Sequence, residues 1–508
     1  MNLRRALLCL VVGGVLSFWQ LGPQRGAWWG LMDDGEALRF RAPATALALS
    51  DVPAVIASTE VGQFGTATRY RPVYYTVRVL EMWAWGASPA RWYVARIVFF
   101  GLTLAGAAFA LWVLCGGWMA IAGLALLLGE WYWGDIWAHL GPAEQYAAMG
   151  TAALAIGVAL ARRGAGAAGL WMVAIGTAVA AGSKENFAVL MLPLLLVAWR
   201  ERHRHPRTAL AAVAIPGALV ALVVAAVFAG MRHATVDIYG NPVDSHTRLG
   251  WMVRTPGLVL GAAWVVYLGF VVMVRRAKTK PDSAGRLRDA TADLAQIFVL
   301  ASALVASQMT FYPQWPTHGS RYDFPGMLAF ELLVIGGAIF VRRWLQRTGR
   351  GGLTRAFEVA VVVGCVALGL RHGDLSAHRA ARINAERTQA LRKVLERVRD
   401  VSLAQPNLPV VLDVRSPAWT EPQASIVTLL AEIGCRCTYH VLPQSPALGA
   451  RASMPASRSM PGDSLRVAGR WVRYIGSMRD AAPASDGRVA VLTVHDYDTP
   501  TFRYEQLP

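Results

Sequence analysis

Charged side chains are scarce in this chain of 508 residues. Asp, Glu, Lys and Arg together make up 16% of the sequence and hydrophobic residues 55%, whereas soluble proteins carry roughly 25% charged residues. One apolar block follows another up to residue 371, and a membrane-spanning helix needs about 20 apolar residues. The composition excludes an ordinary soluble protein and predicts a polytopic helical membrane protein.

Several sequence motifs of familiar enzymes are also missing. No Walker A loop, HExxH, GxSxG or zinc-ligand spacing occurs in a suitable context, so ATP-driven transport and serine or zinc hydrolysis are unsupported. There are only five cysteines. Cys435 and Cys437 are one residue apart, and a disulfide between them would close a strained ring. Pairing in trans and two free thiols remain alternatives.

Basic residues give the chain a net charge of +18 and cluster in short loops between the apolar blocks. The clusters are Arg4-Arg5, Arg162-Arg163, 200–207, 275–288 and 342–355. Such clusters stay on the cytoplasmic side of a membrane, which argues against nucleic acid as a partner. All five are cytoplasmic if the N-terminus is inside and the chain crosses eleven times. The predicted spans are 6–21, 94–114, 117–133, 143–161, 167–182, 186–199, 209–230, 256–274, 292–311, 324–341 and 355–371.

The first, fifth and sixth predicted spans differ from an ordinary membrane-spanning helix. Segment 6–21 resembles a signal peptide, but no small-residue cleavage site follows it, so we interpret it as an uncleaved helix. Segments 167–182 and 186–199 are short and are separated by Ser183-Lys184-Glu185-Asn186. A hairpin of two short crossings keeps the arginines on both sides of the pair in the cytoplasm.

The predicted fold class is an all-α polytopic membrane bundle of about eleven transmembrane helices, residues 1–371, with a small extracytoplasmic α/β domain, residues 372–508. In the second part, 408–414 and 488–494 have the pattern of buried strands, whereas 376–400 and 422–433 have that of helices.

An acidic cluster, Asp33, Asp34 and Glu36, lies in the predicted outer loop 22–93. Carboxylates at a membrane surface cost free energy unless they are hydrated, paired or functional. Two adjacent carboxylates can divide labour, with one acting as general base and the other orienting a substrate or a metal ion. The alternative is a hydrated loop whose acids balance nearby arginines.

Further polar residues recur at the predicted outer ends of the spans. Arginines interleave with aromatic residues in segment 69–86, where they can reach lipid phosphates, although a plain interfacial helix has the same pattern. Segment 130–146 contains Asp135, His139 and Glu144, and 312–325 contains His318 and Asp323. A weaker candidate for sugar recognition is the loop 231–255. The predicted substrate-binding residues are Glu36, Arg69, Tyr70, Arg71, Glu144, Lys184, Glu185, Arg321 and Tyr322.

Residues 1–370 resemble bacterial members of the C-type superfamily of membrane glycosyltransferases, which includes protein O-mannosyltransferases and an aminoarabinose transferase. The resemblance rests on the pair Asp33-Asp34, RYRPVYY at 69–75, GPAEQY at 141–146, SKEN at 183–186 and SRYDFP at 320–325. It implies inverting transfer of a sugar, a hexose or a pentose, from a polyprenyl-phosphate donor to an acceptor hydroxyl. Asp33 or Asp34 would be the catalytic base, and Arg69, Arg71, Lys184 and Arg321 would hold the lipid phosphate.

The same resemblance implies a bacterial inner-membrane enzyme whose C-terminal domain is periplasmic, with membrane lipids around it and a glycan, lipid or protein as acceptor. Some relatives use a divalent metal, so Mg²⁺ or Mn²⁺ is a possible cofactor. Two other hypotheses compete with this one. A transporter or flippase for lipid-linked saccharides would line its pathway with the same side chains, and a membrane scaffold would only present the C-terminal domain to a partner.

Overall fold

The structure is a computed structural model, and part of the chain is described here. The described residues are 3–31, 34–40, 47–66, 69–232, 255–276, 281–312, 315, 320–347, 351–373, 377–414, 421–435, 438–442, 464–467, 470–474, 481, 488–494 and 501–506. Asp33, His318, Cys437 and most of loop 231–255 lie outside them, as does the side chain of Glu36.

Helices make up most of the described residues. The α-helices are α1 Leu3–Leu21, α2 Gly35–Arg39, α3 Val52–Ala57, α4 Pro72–Trp85, α5 Pro89–Cys115, α6 Gly117–Gly129, α7 Tyr132–Trp137, α8 Glu144–Arg162, α9 Gly166–Ser183, α10 Met191–Glu201, α11 Pro206–Met231, α12 Thr255–Arg276, α13 Pro281–Phe311, α14 Gly326–Arg347, α15 Gly351–Gly373, α16 Ala377–Ala404 and α17 Glu421–Glu432. Short 3-10 helices cover Gly22–Gly26, Leu49–Asp51, Glu185–Leu190 and Arg321–Asp323. Proline at the first turn begins several of them, because its fixed φ suits that position.

Within the described residues, six helices are long and apolar enough to cross a membrane. They include α1, α5, α9, α11, the second part of α13 from Leu294, and most of α15. Two further described stretches, Gly117–Gly129 and Leu258–Gly269, are apolar but shorter than a full span. An integral membrane protein is thus supported, whereas the predicted count of about eleven spans is not confirmed.

The chain after α9 turns back as the hairpin prediction requires. The 3-10 helix Glu185–Leu190 continues into α10, and together they are about 28 Å long, close to the roughly 30 Å thickness of a bilayer core. At the far end, Glu201 lies against the start of α9, where a Cβ added to Gly166 would come within 2.4 Å of its Oε2. Residues 166 and 201 therefore lie at the same end of the bundle.

Basic residues from different loops gather around the C-terminal end of α5. Arg342 donates a hydrogen bond from Nη1 to the carbonyl oxygen of Cys115 at 2.9 Å, and the charges of Arg162 and Arg343 also act on Cys115. We call this region the basic end. Tyr93 lies near the other end of α5, about 33 Å from Cys115 at 1.5 Å per residue. The clustering agrees with the sidedness predicted for these loops.

The C-terminal part contains a six-stranded sheet with α16 and α17 beside it. The strands are β1 Val410–Val414, β2 Tyr439–Leu442, β3 Ser464–Val467, β4 Arg470–Tyr474, β5 Arg488–Val494 and β6 Thr501–Gln506, in the order β3-β4-β2-β1-β5-β6. The central pairs are parallel and the two edge pairs antiparallel. The predicted strands 408–414 and 488–494 correspond to β1 and β5. The other four strands are too short or too polar to be recognised from sequence.

One face of this sheet shares its core with the N-terminal part, whereas the other face packs in a small cluster of its own around Val411, Val489 and Val491. A single hydrophobic cluster joins Trp28, Leu38 and Tyr74 of the N-terminal part to Leu395 and Leu430 of the C-terminal part. Helix α16 packs along α1 and α7, and α17 packs on α2. The sequence divides the chain at residue 371, but the packing joins the two parts.

Candidate active site

Asp34 is buried at the end of the bundle opposite the basic end. Its carboxylate accepts three hydrogen bonds, from the backbone N–H of Gly30 at 2.9 Å, the N–H of Leu140 at 2.7 Å and the hydroxyl of Tyr93 at 2.6 Å. Burial raises the pKa of Asp34 above its ordinary value, although nearby His139 and these hydrogen bonds act in the opposite direction. Both carboxylate oxygens are therefore engaged with the protein itself. We call this region the acid end.

The segment 138–141, between α7 and α8, is the second component of the acid end. Its backbone carbonyls accept hydrogen bonds from four side chains that come from distant parts of the chain or from α8. The donors are Asn384 to Ala138 at 2.6 Å, Gln145 to His139 at 2.6 Å, Arg78 to Leu140 at 2.6 Å and Tyr74 to Gly141 at 2.8 Å. Four side-chain donors and Asp34 thus fix a segment that has no regular secondary structure.

Lys184 and Glu144 form a buried ion pair between the end of α9 and the start of α8. The ammonium nitrogen also lies 4.8 Å from the centre of the Tyr312 ring and 5.1 Å from that of Tyr322. Aromatic faces attract cations, so the carboxylate and the two rings hold Lys184 in one position. Three of the predicted substrate-binding residues, Glu144, Lys184 and Tyr322, are thereby brought together.

Arg321 connects this pair to the acid end. Its backbone N–H donates to Asp135 Oδ2 at 2.7 Å, and Asp135 Oδ1 lies 4.0 Å from His139 Nε2. The guanidinium lies 5.3 Å from the centre of the Tyr322 ring, and its charge acts on Glu144. The segment 135–140 therefore contacts both Asp34 and Arg321.

Arg69 and Glu185 lie near the same group of charged residues. The charges of both residues act on Tyr312, together with those of Lys184 and Glu144. Of the predicted phosphate-binding cations, Arg69, Lys184 and Arg321 therefore share one neighbourhood, which includes Glu144, Glu185 and two tyrosines.

Three polar residues on either side of Lys184 are buried and have side-chain atoms that make no hydrogen bond within the described part of the chain. These atoms are Ser183 Oγ, Glu185 Oε2 and Asn186 Oδ1. A buried polar atom costs free energy unless a partner satisfies it. The Asn186 amide nitrogen is satisfied, because it donates to Gln308 Oε1 at 3.0 Å. The three remaining atoms are suited to a ligand that carries hydroxyl groups.

Arg71, by contrast, is engaged by its own loop. It donates two hydrogen bonds to Glu60, from Nε at 3.2 Å and from Nη2 at 2.7 Å, and one to the hydroxyl of Tyr75 at 3.1 Å. Burial opposes ionisation of Glu60, but the Arg71 charge outweighs it and holds the pKa of Glu60 below its ordinary value. Neighbouring Tyr70 donates to the carbonyl oxygen of Val61 at 3.3 Å. These contacts tie segment 69–71 to the preceding loop.

Sequence reasoning missed a second buried polar group, formed by Arg96, Glu81 and Tyr146. Arg96 binds both oxygens of Glu81, at 2.8 and 2.5 Å, and the Tyr146 hydroxyl donates to Glu81 at 2.6 Å. An arginine within the apolar α5 is a signal in itself, because an ionisable residue at membrane depth needs a partner. This group links α4, α5 and α8 beneath the acid end.

No group of three or more His, Cys, Asp or Glu side chains in the described ranges could hold a metal ion. The possible cofactor, Mg²⁺ or Mn²⁺, therefore has no ligand set of this kind among the described residues.

Comparisons with known proteins complete the description of the site. No family model matches the sequence, and no curated protein matches it. Two solved structures are similar to the chain. One is ArnT from Cupriavidus metallidurans bound to undecaprenyl phosphate, at 14% identity and a TM-score of 0.40, covering 98% of this chain and 94% of that one. The other is the same protein in the apo state, at 13% identity and a TM-score of 0.39, covering 96% and 93%. ArnT is an aminoarabinose transferase of the superfamily that the sequence motifs resemble, but at these TM-scores the likeness establishes no function or residue role for this chain.

Proposed function

We propose that this protein is a membrane glycosyltransferase. It moves a sugar from a polyprenyl-phosphate donor to an acceptor hydroxyl on the extracytoplasmic face of its membrane, with inversion at the anomeric carbon. The observation that carries the proposal is the connection between Asp34 and the cationic group. Segment 135–140 donates a hydrogen bond to Asp34 and accepts one from the backbone of Arg321. The charge of Arg321 acts on Glu144, the carboxylate that pairs with Lys184. Asp34 and the cations Lys184 and Arg321 thus lie at one end of the helices.

The reaction needs both groups at once. A base removes the proton of the acceptor hydroxyl, and the oxygen attacks the anomeric carbon of the donor. The bond from that carbon to the phosphate oxygen breaks, and its electron pair leaves with the polyprenyl phosphate. Negative charge grows on the phosphate in the transition state, where fixed cations such as Lys184 and Arg321 stabilise it. The phosphate is already a good leaving group, so no nucleotide is required.

The three unsatisfied atoms of residues 183–186 support a sugar as the transferred group. Sugar hydroxyls both donate and accept hydrogen bonds. A carboxylate, an amide oxygen and a hydroxyl beside Lys184 provide matching partners for them. An apolar ligand would leave all three atoms unsatisfied, which costs about 1–3 kcal/mol for each group.

The burial of Asp34 divides the roles of the two adjacent acids. Asp34 already accepts three hydrogen bonds from the protein, which engage both of its oxygens, so it suits the role of holding Gly30, Tyr93 and Leu140 in place. We therefore assign the catalytic base to Asp33.

The decisive experiment is turnover in lipid nanodiscs, using a panel of undecaprenyl-phosphate sugars with a membrane-glycolipid extract as acceptor. The readout is free undecaprenyl phosphate. Asp33→Asn should reduce its release by about 100-fold or more at an unchanged melting temperature. Asp34→Asn should lower the melting temperature, because an amide N–H would face the donors that now bind Asp34.

Asp51→Asn is the matched control, because Asp51 is an exposed acid in the same loop. It should change neither quantity. Full activity of the Asp33→Asn/Asp34→Asn double variant would eliminate both acids as the base. Comparison of the anomeric configuration of donor and product tests inversion.

One observation favours a transporter or flippase for lipid-linked saccharides as the second candidate. A 3-10 helix, Glu185–Leu190, stands between α9 and α10 with Lys184 buried at its start, and transporters use similarly irregular helices around their binding sites. A protein of this kind would move labelled undecaprenyl-phosphate sugar across a liposome bilayer without releasing free undecaprenyl phosphate. Release without movement excludes it.

For the cellular setting, we propose an inner-membrane location with the acid end and the C-terminal domain on the periplasmic side. The clustering of arginines at the basic end supports this orientation, because such clusters remain in the cytoplasm. A glycan, a lipid or a protein remains the proposed class of acceptor, and a divalent ion remains a proposed cofactor. Chelation before the same turnover assay tests the second point.

A further inference from the structure

The first helix of the C-terminal domain reaches the residues that hold Asp34. Asn384 of α16 is only 7% exposed, and its amide nitrogen donates to the hydroxyl oxygen of Tyr93 at 3.1 Å and to the carbonyl oxygen of Ala138 at 2.6 Å. Tyr93 in turn donates to Asp34 at 2.6 Å. A continuous hydrogen-bonded path therefore links residue 384 to residue 34, which is far away in sequence.

The direction of these hydrogen bonds matters. A tyrosine hydroxyl has one proton to donate and can accept at its oxygen. Because Asn384 occupies the oxygen of Tyr93 as a donor, the Tyr93 proton is directed to Asp34. The same amide holds Ala138, two residues before Leu140, whose N–H also binds Asp34. Asn384 thus acts on two of the three donors that surround the carboxylate.

Other contacts place the same helix along the segment that precedes the acids. Thr388 accepts a hydrogen bond from the backbone N–H of Trp28 at 3.0 Å, and Gln389 donates to the carbonyl oxygen of Gly26. Near the start of α16, the N–H of His378 donates to Gln20 at 2.9 Å. Residues 20–28 are therefore held by the first thirteen residues of α16.

Helix α17 acts on the other side of the acids. It packs on the short helix α2, which begins directly after Asp34. Leu38 of α2 and Leu430 of α17 belong to one hydrophobic cluster with Trp28 and Leu395. The chain on either side of the acid pair is thus supported by the C-terminal domain.

We propose that the C-terminal α/β domain is part of the active-site framework, and that Asn384 is a positioning residue that acts on the acid pair through Tyr93 and Ala138. This inference rests on the proposed transferase function. It gives the domain a role in every catalytic cycle, whatever acceptor is used.

The test compares Asn384→Leu with wild type and with Ser402→Ala in the full-length chain. Leu has a similar volume and removes both hydrogen bonds. Ser402 is a matched control, because it is buried in the same helix and its hydroxyl contacts the Arg399 carbonyl oxygen and Cys435 Sγ, not the residues around Asp34. Asn384→Leu should lower kcat about tenfold with little change in KM, whereas Ser402→Ala should change neither.

Two further measurements separate positioning from a general loss of structure. Tyr93→Phe combined with Asn384→Leu should lower kcat no further than the more severe single variant, since both interrupt one path. Hydrogen exchange should accelerate at residues 28–40 and 138–140 in Asn384→Leu, and stay unchanged in helix α11. If Asn384→Leu is lost from the membrane fraction, the isosteric Asn384→Asp is measured in the same way.

A folded Asn384→Leu protein with wild-type kcat would overturn the inference, even if exchange were faster. Additive effects of the two substitutions would also overturn it. If the wild type releases no undecaprenyl phosphate from any donor, the proposed function fails instead. In that case hydrogen exchange at residues 28–40 and 138–140 alone decides whether α16 supports the chain around Asp34.

Discussion

The buried ion pair of Lys184 and Glu144 limits how Lys184 could bind a phosphate. A buried ion pair contributes little net stability compared with apolar residues, but loss of one partner leaves a buried charge uncompensated. The carboxylate of Glu144 already neutralises Lys184, so the cation can serve a donor phosphate only if it contacts both groups. Its ammonium has three N–H donors, which permits this.

Lys184→Met should therefore lower the free energy of unfolding by about 3–5 kcal/mol and reduce turnover about 100-fold. The double variant Lys184→Met/Glu144→Gln removes the uncompensated charge and should recover most of the stability. Its turnover should stay low, because the phosphate still lacks its cation. Thermal unfolding and release of undecaprenyl phosphate measure the two effects. Recovery of wild-type turnover in the double variant would make the role of Lys184 purely structural.

Among single residues, the sequence was informative about which positions are polar and uninformative about their partners. It identified Arg69, Lys184 and Arg321 as outer cations, and these share one neighbourhood in the structure. It could not distinguish Arg71, whose partner Glu60 lies in a loop without a recognisable pattern. Whether any of these residues binds substrate stays a prediction.

At the scale of helices, α1, which precedes Asp34 in the chain, packs closely against α5, which carries Tyr93. A Cβ added at Gly13 would lie 2.4 Å from the carbonyl oxygen of Gly101, whereas one added at Gly14 would have no neighbour within 4 Å. Small residues allow such contacts between helices in a membrane, where packing drives association. The two adjacent glycines thus form a natural comparison.

Gly13→Ala should lower the apparent melting temperature in nanodiscs, since overpacking costs about 1–3 kcal/mol. Gly14→Ala should leave it unchanged or raise it slightly, because alanine favours a helix over glycine by about 0.5–1 kcal/mol. Both variants are scanned at one heating rate. Equal effects of the two substitutions would contradict the packing of α1 on α5.

The segment 135–140 shows what local patterns cannot reveal about an element. Its sequence, Asp-Ile-Trp-Ala-His-Leu, suggests an interfacial turn, and only Asp135 and His139 stand out as candidates. The functional contacts are made by backbone groups, such as the N–H of Leu140 and the carbonyl oxygen of Ala138. Backbone groups are the same in every residue, so no sequence motif marks them.

For the molecule as a whole, the arginine clusters and the helix packing together indicate which end of the bundle faces the cytoplasm. The Gly166 end of α9 lies beside His205, and the C-terminal domain packs at the opposite, acid end. Reporter fusions after residue 205 should therefore be cytoplasmic and fusions after residue 420 extracytoplasmic. A fusion after Gly164 is the cytoplasmic control. A cytoplasmic report from residue 420 would refute the orientation proposed here.

The sequence by itself determined the class of this protein and the elements that carry its polar groups. Hydrophobic runs and the positions of arginines are local properties, and burial of apolar surface in a bilayer depends mainly on them. The strands β1 and β5 and the helices α16 and α17 were predictable for the same reason, since each has a clear apolar period.

Only the tertiary structure decided which polar groups meet. The hydrogen bonds from Tyr93 and Leu140 to Asp34, and from Asn384 to Tyr93, join residues that are 59, 106 and 291 positions apart. Such pairs depend on how helices pack, and a single sequence does not encode packing in any local period. The same reason explains why the sequence predicted a separate C-terminal domain, whereas the folded chain shares one hydrophobic core between that domain and the acid segment.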